Sequence, residues 1–287
     1  MNRFIVGIED NDILLKDFLL KQNLSKKAIK AIKMNGDILV NGKHQTVRYC
    51  LKKDDLIELV WPDEISAMEP YEYFLKIVYE DENYLVIDKP TGIPCIPTKR
   101  YPNKTIANAI IYYFQMSNLK ATVHLVNRLD KDTQGLMLVA KNRQAHYLLS
   151  KDIKQVKRVY HCLVEGVLED KGVIDKPIIK DSNSIKRLID SKGKKAITIY
   201  RSLKVFDNKS LIECDLKTGR THQIRVHLSS IGHPLVGDSL YGSKEVGTYY
   251  LDSVYLEFIS PFTNKIIKIK KDIKFWYDNL LVDSVNN

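Results

Sequence analysis

The sequence predicts an α+β protein, a small basic α/β module followed by a larger domain rich in strands. Three observations carry that expectation. Two short helical patterns alternate with strand signals in residues 1–62, several apolar runs too short for helices fall between 84 and 216, and a weakly periodic stretch holding Pro70 and several acids separates the two parts. The boundaries read from this are 1–62 for the module, 63–72 for a linker and 73–287 for the larger domain.

With 287 residues the chain is long enough for both units to bury a core. Its formal net charge of +10 points to a polyanionic partner, although charge alone does not separate RNA from DNA or from an anionic membrane. Glu9 and Asp10 fall where a secretory signal would need apolar residues, and no uninterrupted apolar run approaches a membrane span. A cytoplasmic protein with no membrane partner is expected. Cys50, Cys95, Cys162 and Cys214 lie too far apart for a zinc or redox pair and are expected to be reduced. His222, His227 and His233 lack helical metal-ligand spacing, so no metal is expected and their roles lie in packing or phosphate contact.

In the module, Asp12 is placed to cap a helix whose apolar face is Leu14, Leu15, Phe18 and Leu19. Ser25 caps a second helix, with Leu24 and Ile29 as a hydrophobic staple and Gly36 as its stop. Lys26, Lys30 and Lys33 share one side of that helix, with Lys27 beside them, opposite Ala28, Ile29 and Ile32. Such a face can simply be solvated. Between Ser25 and Arg48, however, Asp37 is the single acid among Lys26, Lys27, Lys30, Lys33, Lys43 and Arg48, a concentration that favours phosphate contact. Ile38-Leu39-Val40 and the turn residues Asn41-Gly42 complete the module.

In the larger domain, strands are expected at 84–88, 136–140, 159–165, 196–201 and 211–216, the last alternating Leu211, Glu213 and Asp215 with Ile212, Cys214 and Leu216. Asp181 to Lys195 is polar and reads as an exposed loop with some contact to the polyanion. Thr221 is placed to cap a helix running to about Ile231, with Ile224, Leu228 and Ile231 on one stripe and Gly232 and Pro234 as its stop. Arg225 falls beside that stripe, positioned to pair with a carboxylate.

The densest chemistry lies between two short apolar runs, in Asn127-Arg128-Leu129-Asp130-Lys131-Asp132-Thr133. Two carboxylates among cations can keep an acid ionised and partly desolvated, although a solvated hairpin has the same composition. Arg128-Leu129-Asp130 with Thr133 and Gly135 resembles the active-site motif of the RluA-type RNA pseudouridine synthases. Tyr84-Leu85-Val86-Ile87-Asp88-Lys89-Pro90-Thr91-Gly92, the run from Thr218 to Leu228 and the run from Gly232 to Gly242 resemble further blocks of that family, in the same order. The module, over about residues 12 to 60, resembles the ribosomal protein S-four-like RNA-binding domain.

The resemblance implies a mixed, mainly antiparallel catalytic sheet with flanking helices, and conversion of uridine to pseudouridine without a cofactor. That reaction breaks the bond between base and ribose, turns the base and rejoins it through C5, so one carboxylate suffices where hydrolysis typically needs two. The target nucleotide must first leave the stack, at about a few kcal/mol. By resemblance Asp130 is the catalytic acid, either attacking the sugar or abstracting a sugar proton. Asp132 is expected to brace the loop through backbone amides. Arg128 would fill the space left by the flipped nucleotide, Tyr160 would lie against its base and serve the proton step at C5, and Arg225 would pair with Asp130. Read alone, Tyr160 fits an ordinary half-buried strand position, and Arg225 fits an ion pair with any nearby acid.

Arg220 joins Arg128, Lys26, Lys27, Lys30 and Lys33 as an expected RNA contact. Asn127, Gln134 and Arg158 depart from the histidine, serine and lysine common in relatives. Large-subunit ribosomal RNA is the first expected substrate and a monomer the expected state, with no DNA partner. Transfer RNA is the alternative target. A non-catalytic ribosome-assembly factor is the alternative class, against which the joint presence of Asp130, Tyr160 and Arg225 weighs.

Overall fold

A computed structural model describes residues 2–64, 66–151, 153–169 and 171–271, so the last sixteen positions of the expected larger domain lie outside the described residues. The amino-terminal module contains β1 (Asn2–Ile5), α1 (Leu15–Lys21), α2 (Lys26–Asn35), β2 (Asp37–Val40), β3 (Lys43–His44) and β4 (Leu56–Val60). Its antiparallel sheet has the order β1-β4-β2-β3. Phe18 and Leu19 of α1 pack with Ile29 and Ile32 of α2 over Ile38 and Ile57 of the sheet.

The second helix forms as its sequence dictates. Ser25 Oγ accepts the Ala28 amide at 3.1 Å, and Leu24 and Ile29 are both buried. Asn41 and Gly42 both have positive φ, 52° and 76°, the geometry of a two-residue hairpin turn. Asp12, in contrast, is not a cap. Its φ is +66° and its carboxylate accepts from Lys52 Nζ. The first amides of α1, at Leu15 and Lys16, are satisfied by the carbonyls of Tyr49 and Val47 at 2.8 and 3.0 Å, so no side-chain cap is required.

Between module and larger domain the chain is irregular but fastened along its length. Glu64 meets His124 at 2.6 Å and Arg143 at 3.2 Å, and further on Asn108 Nδ2 donates to the Glu69 carbonyl at 2.7 Å. The Tyr71 amide returns a bond to the Asn108 carbonyl at 3.0 Å. The segment is a strap on the larger domain.

That domain continues with β5 (Ile77–Glu80), β6 (Tyr84–Lys89), α3 (Ile106–Met116), β7 (His124–Leu125), β8 (Gln134–Ala140), α4 (Arg143–Lys151) and β9 (Lys157–Glu165). There follow β10 (Lys171–Asp175), β11 (Ile178–Lys180), β12 (Arg187–Ile189), β13 (Ile197–Phe206), β14 (Lys209–Leu216), α5 (Gln223–Ser229), β15 (Leu251–Ile259) and β16 (Ile266–Lys270). All five expected strands are present. The large sheet has the order β10-β13-β14-β9-β15-β8-β6-β5, with β16 on β15 and β7 on β8. Its ladders are antiparallel except for β15 with β8.

Alternation along the central strands sorts residues to two cores. Leu85, Ile87, Met137, Val139, Tyr160 and Cys162 face one core, shared with Ile110 of α3 and Ile224 of α5. Tyr84, Val86, Leu136 and Leu138 face the opposite one, shared with Leu149 of α4. The first of these faces carries the site.

Two expectations need correction here. Residues 181–195 are not wholly a loop, because β11 and β12 pair as an antiparallel hairpin. Strands of three residues are too short to show an apolar alternation. Nor does Thr221 cap α5; the cap position is His222, in the left-handed region at φ 57°, with no side-chain cap bond. The stop is as expected, with Gly232 at φ 88°.

Candidate active site

The polar turn from Arg128 to Thr133 leads into β8 and is held by buried groups beneath it. Lys89, at the end of β6, is 0% exposed, and its Nζ donates to the carbonyls of Pro90, Lys131 and Thr133 at 2.8, 2.9 and 2.8 Å. Burial pulls its pKa down to about 8, yet the three carbonyls use all three ammonium protons. Cys95 Sγ lies 3.0 Å from the Leu129 carbonyl, and Asn127 Oδ1 accepts the Leu138 amide at 2.7 Å. Gly135 closes the turn at φ 103°, where a Cβ would stand 2.2 Å from Asp252 Oδ1; only glycine fits.

Asp130 sits on this turn, partly exposed, facing a cavity of about 590 Å³. Arg128, Arg158, Tyr160, Arg220 and Arg225 line the same cavity, and Asp130 is the one carboxylate among the described lining residues. Arg225 Nη1 lies 3.7 Å and His222 Nε2 3.9 Å from Asp130 Oδ2.

Arg225 pairs with Asp130 as expected, but its closer partner is Asp238. Nε and Nη2 donate to the two carboxylate oxygens of Asp238 at 2.6 and 2.8 Å, and both residues are buried. Burial opposes the charge on Arg225, but the bidentate bond outweighs it and its pKa is raised. The rings of Tyr249 and Tyr241 flank the guanidinium at 4.4 and 4.9 Å. A fully buried carboxylate requires the nearest cation, so Asp238 takes one edge of the fork and Asp130 is left with the corner at Nη1.

His222 joins the same network. Its Nδ1 is 2.8 Å from the Tyr241 hydroxyl, which accepts the Arg187 amide at 2.9 Å. The hydroxyl proton is then available to Nδ1, leaving the Nε2–H of a neutral imidazole toward Asp130. Burial lowers the His222 pKa and favours that neutral form. Tyr160 is buried on β9, and burial raises its phenol pKa.

Asp132 does not brace the loop through amides as expected. Its carbonyl accepts from Thr91 Oγ1 at 2.9 Å, while its carboxylate stands 3.8 Å from Lys131 Nζ. Arg220 is exposed and its Nε donates to the Lys195 carbonyl at 3.0 Å. Lys26, Lys27, Lys30 and Lys33 are exposed on α2 and none lines the cavity. His227 is buried between Thr198 Oγ1 and the Lys176 carbonyl, and His233 bonds the Glu165 carbonyl, so both serve packing.

Sequence reading missed Asp238, Lys89 and His222 as members of this site although all three stand in the quoted blocks; Tyr249 carried no signal.

A family model described as RNA pseudouridylate synthase matches residues 83–230, the stretch that contains the turn, Tyr160 and Arg225. The chain belongs to this family. It is 42% identical over 262 residues to the uncharacterized RNA pseudouridine synthase YjbO of Bacillus subtilis, covering 88% of this chain and 92% of that protein. It is 36% identical over 242 residues to the ribosomal large subunit pseudouridine synthase D of Zymomonas mobilis, covering 76% of each. Among solved structures, human RNA pseudouridylate synthase domain containing 4 aligns with a TM-score of 0.59 at 23% identity, over 72% of this chain and 92% of that one, a likeness of fold. This RluA-type synthase is an enzyme acting on RNA, and no helix among its described residues is long and apolar enough to cross a membrane.

Proposed function

We propose that the synthase isomerises uridines of large-subunit ribosomal RNA in the cytoplasm, as a monomer, with Asp130 as its catalytic acid. The observation that carries this reading is the position of Asp130: a lone carboxylate at the cavity wall, with Arg225 Nη1 at 3.7 Å and Tyr160 on the same wall. The Asp238 bond fixes the arginine, so Asp130 meets a cation whose place does not depend on substrate. Tyr160 offers a ring to stack on the flipped base and a hydroxyl for the proton at C5. Arg128, exposed at the mouth of the cavity, fills the vacated stack.

Residues 1–62 act as an S-four-like RNA-binding domain, with Lys26, Lys27, Lys30 and Lys33 on phosphates and Arg220 contacting RNA beside the cavity. The names borne by relatives in Zymomonas mobilis and Nitrosomonas europaea, ribosomal large subunit pseudouridine synthase D, support the choice of ribosomal RNA over transfer RNA.

Asp130→Asn is expected to abolish pseudouridine formation while leaving RNA affinity within about twofold, because phosphate contacts dominate affinity. Mapping pseudouridine in ribosomal and transfer RNA from cells lacking the protein identifies the target. A variant that retains wild-type turnover removes Asp130 from the mechanism, and an unaltered ribosomal RNA map removes the proposed substrate.

A further inference from the structure

Arg158 lines the cavity, and its charge opposes the burial that raises the Tyr160 pKa, but no step given to Asp130, Tyr160 and Arg225 uses it. It precedes Tyr160 by two residues on β9, so both side chains leave the same face of the strand. Arg158 is 5% exposed. Among the described residues its one hydrogen bond runs from Nε to the Val156 carbonyl at 3.2 Å, which leaves Nη1 and Nη2 without a protein acceptor. Arg225, equally buried, shows how this fold satisfies a guanidinium it keeps for itself, with a bidentate carboxylate. Among the described residues Arg158 has no such counterpart.

Nη1 and Nη2 are not among the fully buried polar atoms that lack a partner, so this fork opens into the cavity, where it is free to meet an acceptor that arrives from outside. The surroundings leave room for one. Gly219 lies against the fork, where a Cβ would stand 2.7 Å from Nη1. The nearby charges decide the sign of the ligand: Arg128, Lys131, Lys217 and Arg220 line the cavity with Arg158, against the single carboxylate of Asp130.

We propose that Arg158 is an anion-binding residue of the active-site cavity, whose Nη1–Nη2 edge receives the backbone phosphate next to the uridine held at Asp130. The inference rests on the reading of this cavity as the uridine site. A planar fork suits two phosphate oxygens at once, which a lysine ammonium does not reproduce.

The test uses the full chain and a short single-stranded oligouridine, with affinity measured against salt. Arg158→Met is expected to lower the slope of log affinity on log salt by about 0.7, the value for one phosphate on a single strand, while Arg158→Lys keeps it. Gly219→Ala retains every charge but crowds Nη1, and is expected to weaken binding several-fold. In oligouridines carrying one methylphosphonate at successive linkages, one neutral linkage should weaken wild-type binding and leave Gly219→Ala unaffected. On RNA that the wild type modifies, Arg158→Met should raise KM about tenfold with kcat within about twofold, the cost of a hydrogen bond to a charged group. An unchanged slope in folded Arg158→Met overturns the proposal. Should that variant fail to fold, the absence of any linkage to which Gly219→Ala is blind overturns it equally. These binding readings do not require turnover, so they stand apart from the result with Asp130→Asn.

Discussion

The α2 helix and the catalytic cavity use the same cationic side chains at opposite extremes of hydration. On α2, Lys26, Lys27, Lys30 and Lys33 all face solvent, and the helix has no acid in its first turn. In the larger domain Lys89, Arg158 and Arg225 are at most 6% exposed. Exposed lysines act through a field that salt screens beyond about 10 Å, and they are interchangeable. Buried cations act through individual acceptors at fixed distances, so each has one position and one task. In the proposed function, the first region would gather RNA and the second would hold a nucleotide in place.

Breaking a buried pair should have the largest effect. Asp238→Ala strands the Arg225 guanidinium and is expected to lower unfolding free energy by about 3–5 kcal/mol, read by urea denaturation. A loss below about 1 kcal/mol would mean that water or another group compensates Arg225, and the contrast with α2 would fail.

Acid should also strike the buried region first. Burial lowers the pKa of His146, His161, His222 and His227 from 6.5. The unfolded chain then takes up protons near pH 6.5 that the folded chain refuses, so stability is intact above that value and declines as pH falls below it. Thermal midpoints between pH 7.5 and 5.5 should fall, and a rise on acidification would contradict the assignment.

The smallest effect on stability belongs to α2. Replacing Lys26, Lys30 and Lys33 together by glutamine is expected to change unfolding free energy by no more than about 0.5 kcal/mol, while the salt slope of RNA binding drops by about 1 per lysine in contact. A turnover number at saturating RNA that falls with the slope would give the helix a role in the cavity as well.

Periodic features were legible in the sequence, and pairings across the fold were not. Strands such as 211–216 announce themselves because every second residue is buried, and Ser25 could be named as a cap because the amide that it accepts lies three residues away. Asp12 and Thr221 satisfy the same local rule yet fail. At Asp12 the turn segment holding Val47 and Tyr49 supplies carbonyls to the helix amides, and at α5 the left-handed His222 occupies the cap position. The closer partner of Arg225, Asp238, was equally hidden, since Asp130 and Asp238 are both reachable acids and only burial ranks them. The segment 63–72 is polar and irregular, but its attachment through Glu64 and Asn108 depends on side chains far along the chain.

The three carbonyls gathered by Lys89 have a consequence for how enzyme and RNA meet. A turn pinned from underneath by an ammonium that water does not reach has little freedom to remodel itself around a visitor. Adaptation during docking therefore falls on the nucleic acid, which must bend its strand to a template already set, and RNA segments that are easily deformed will meet that template at the least expense.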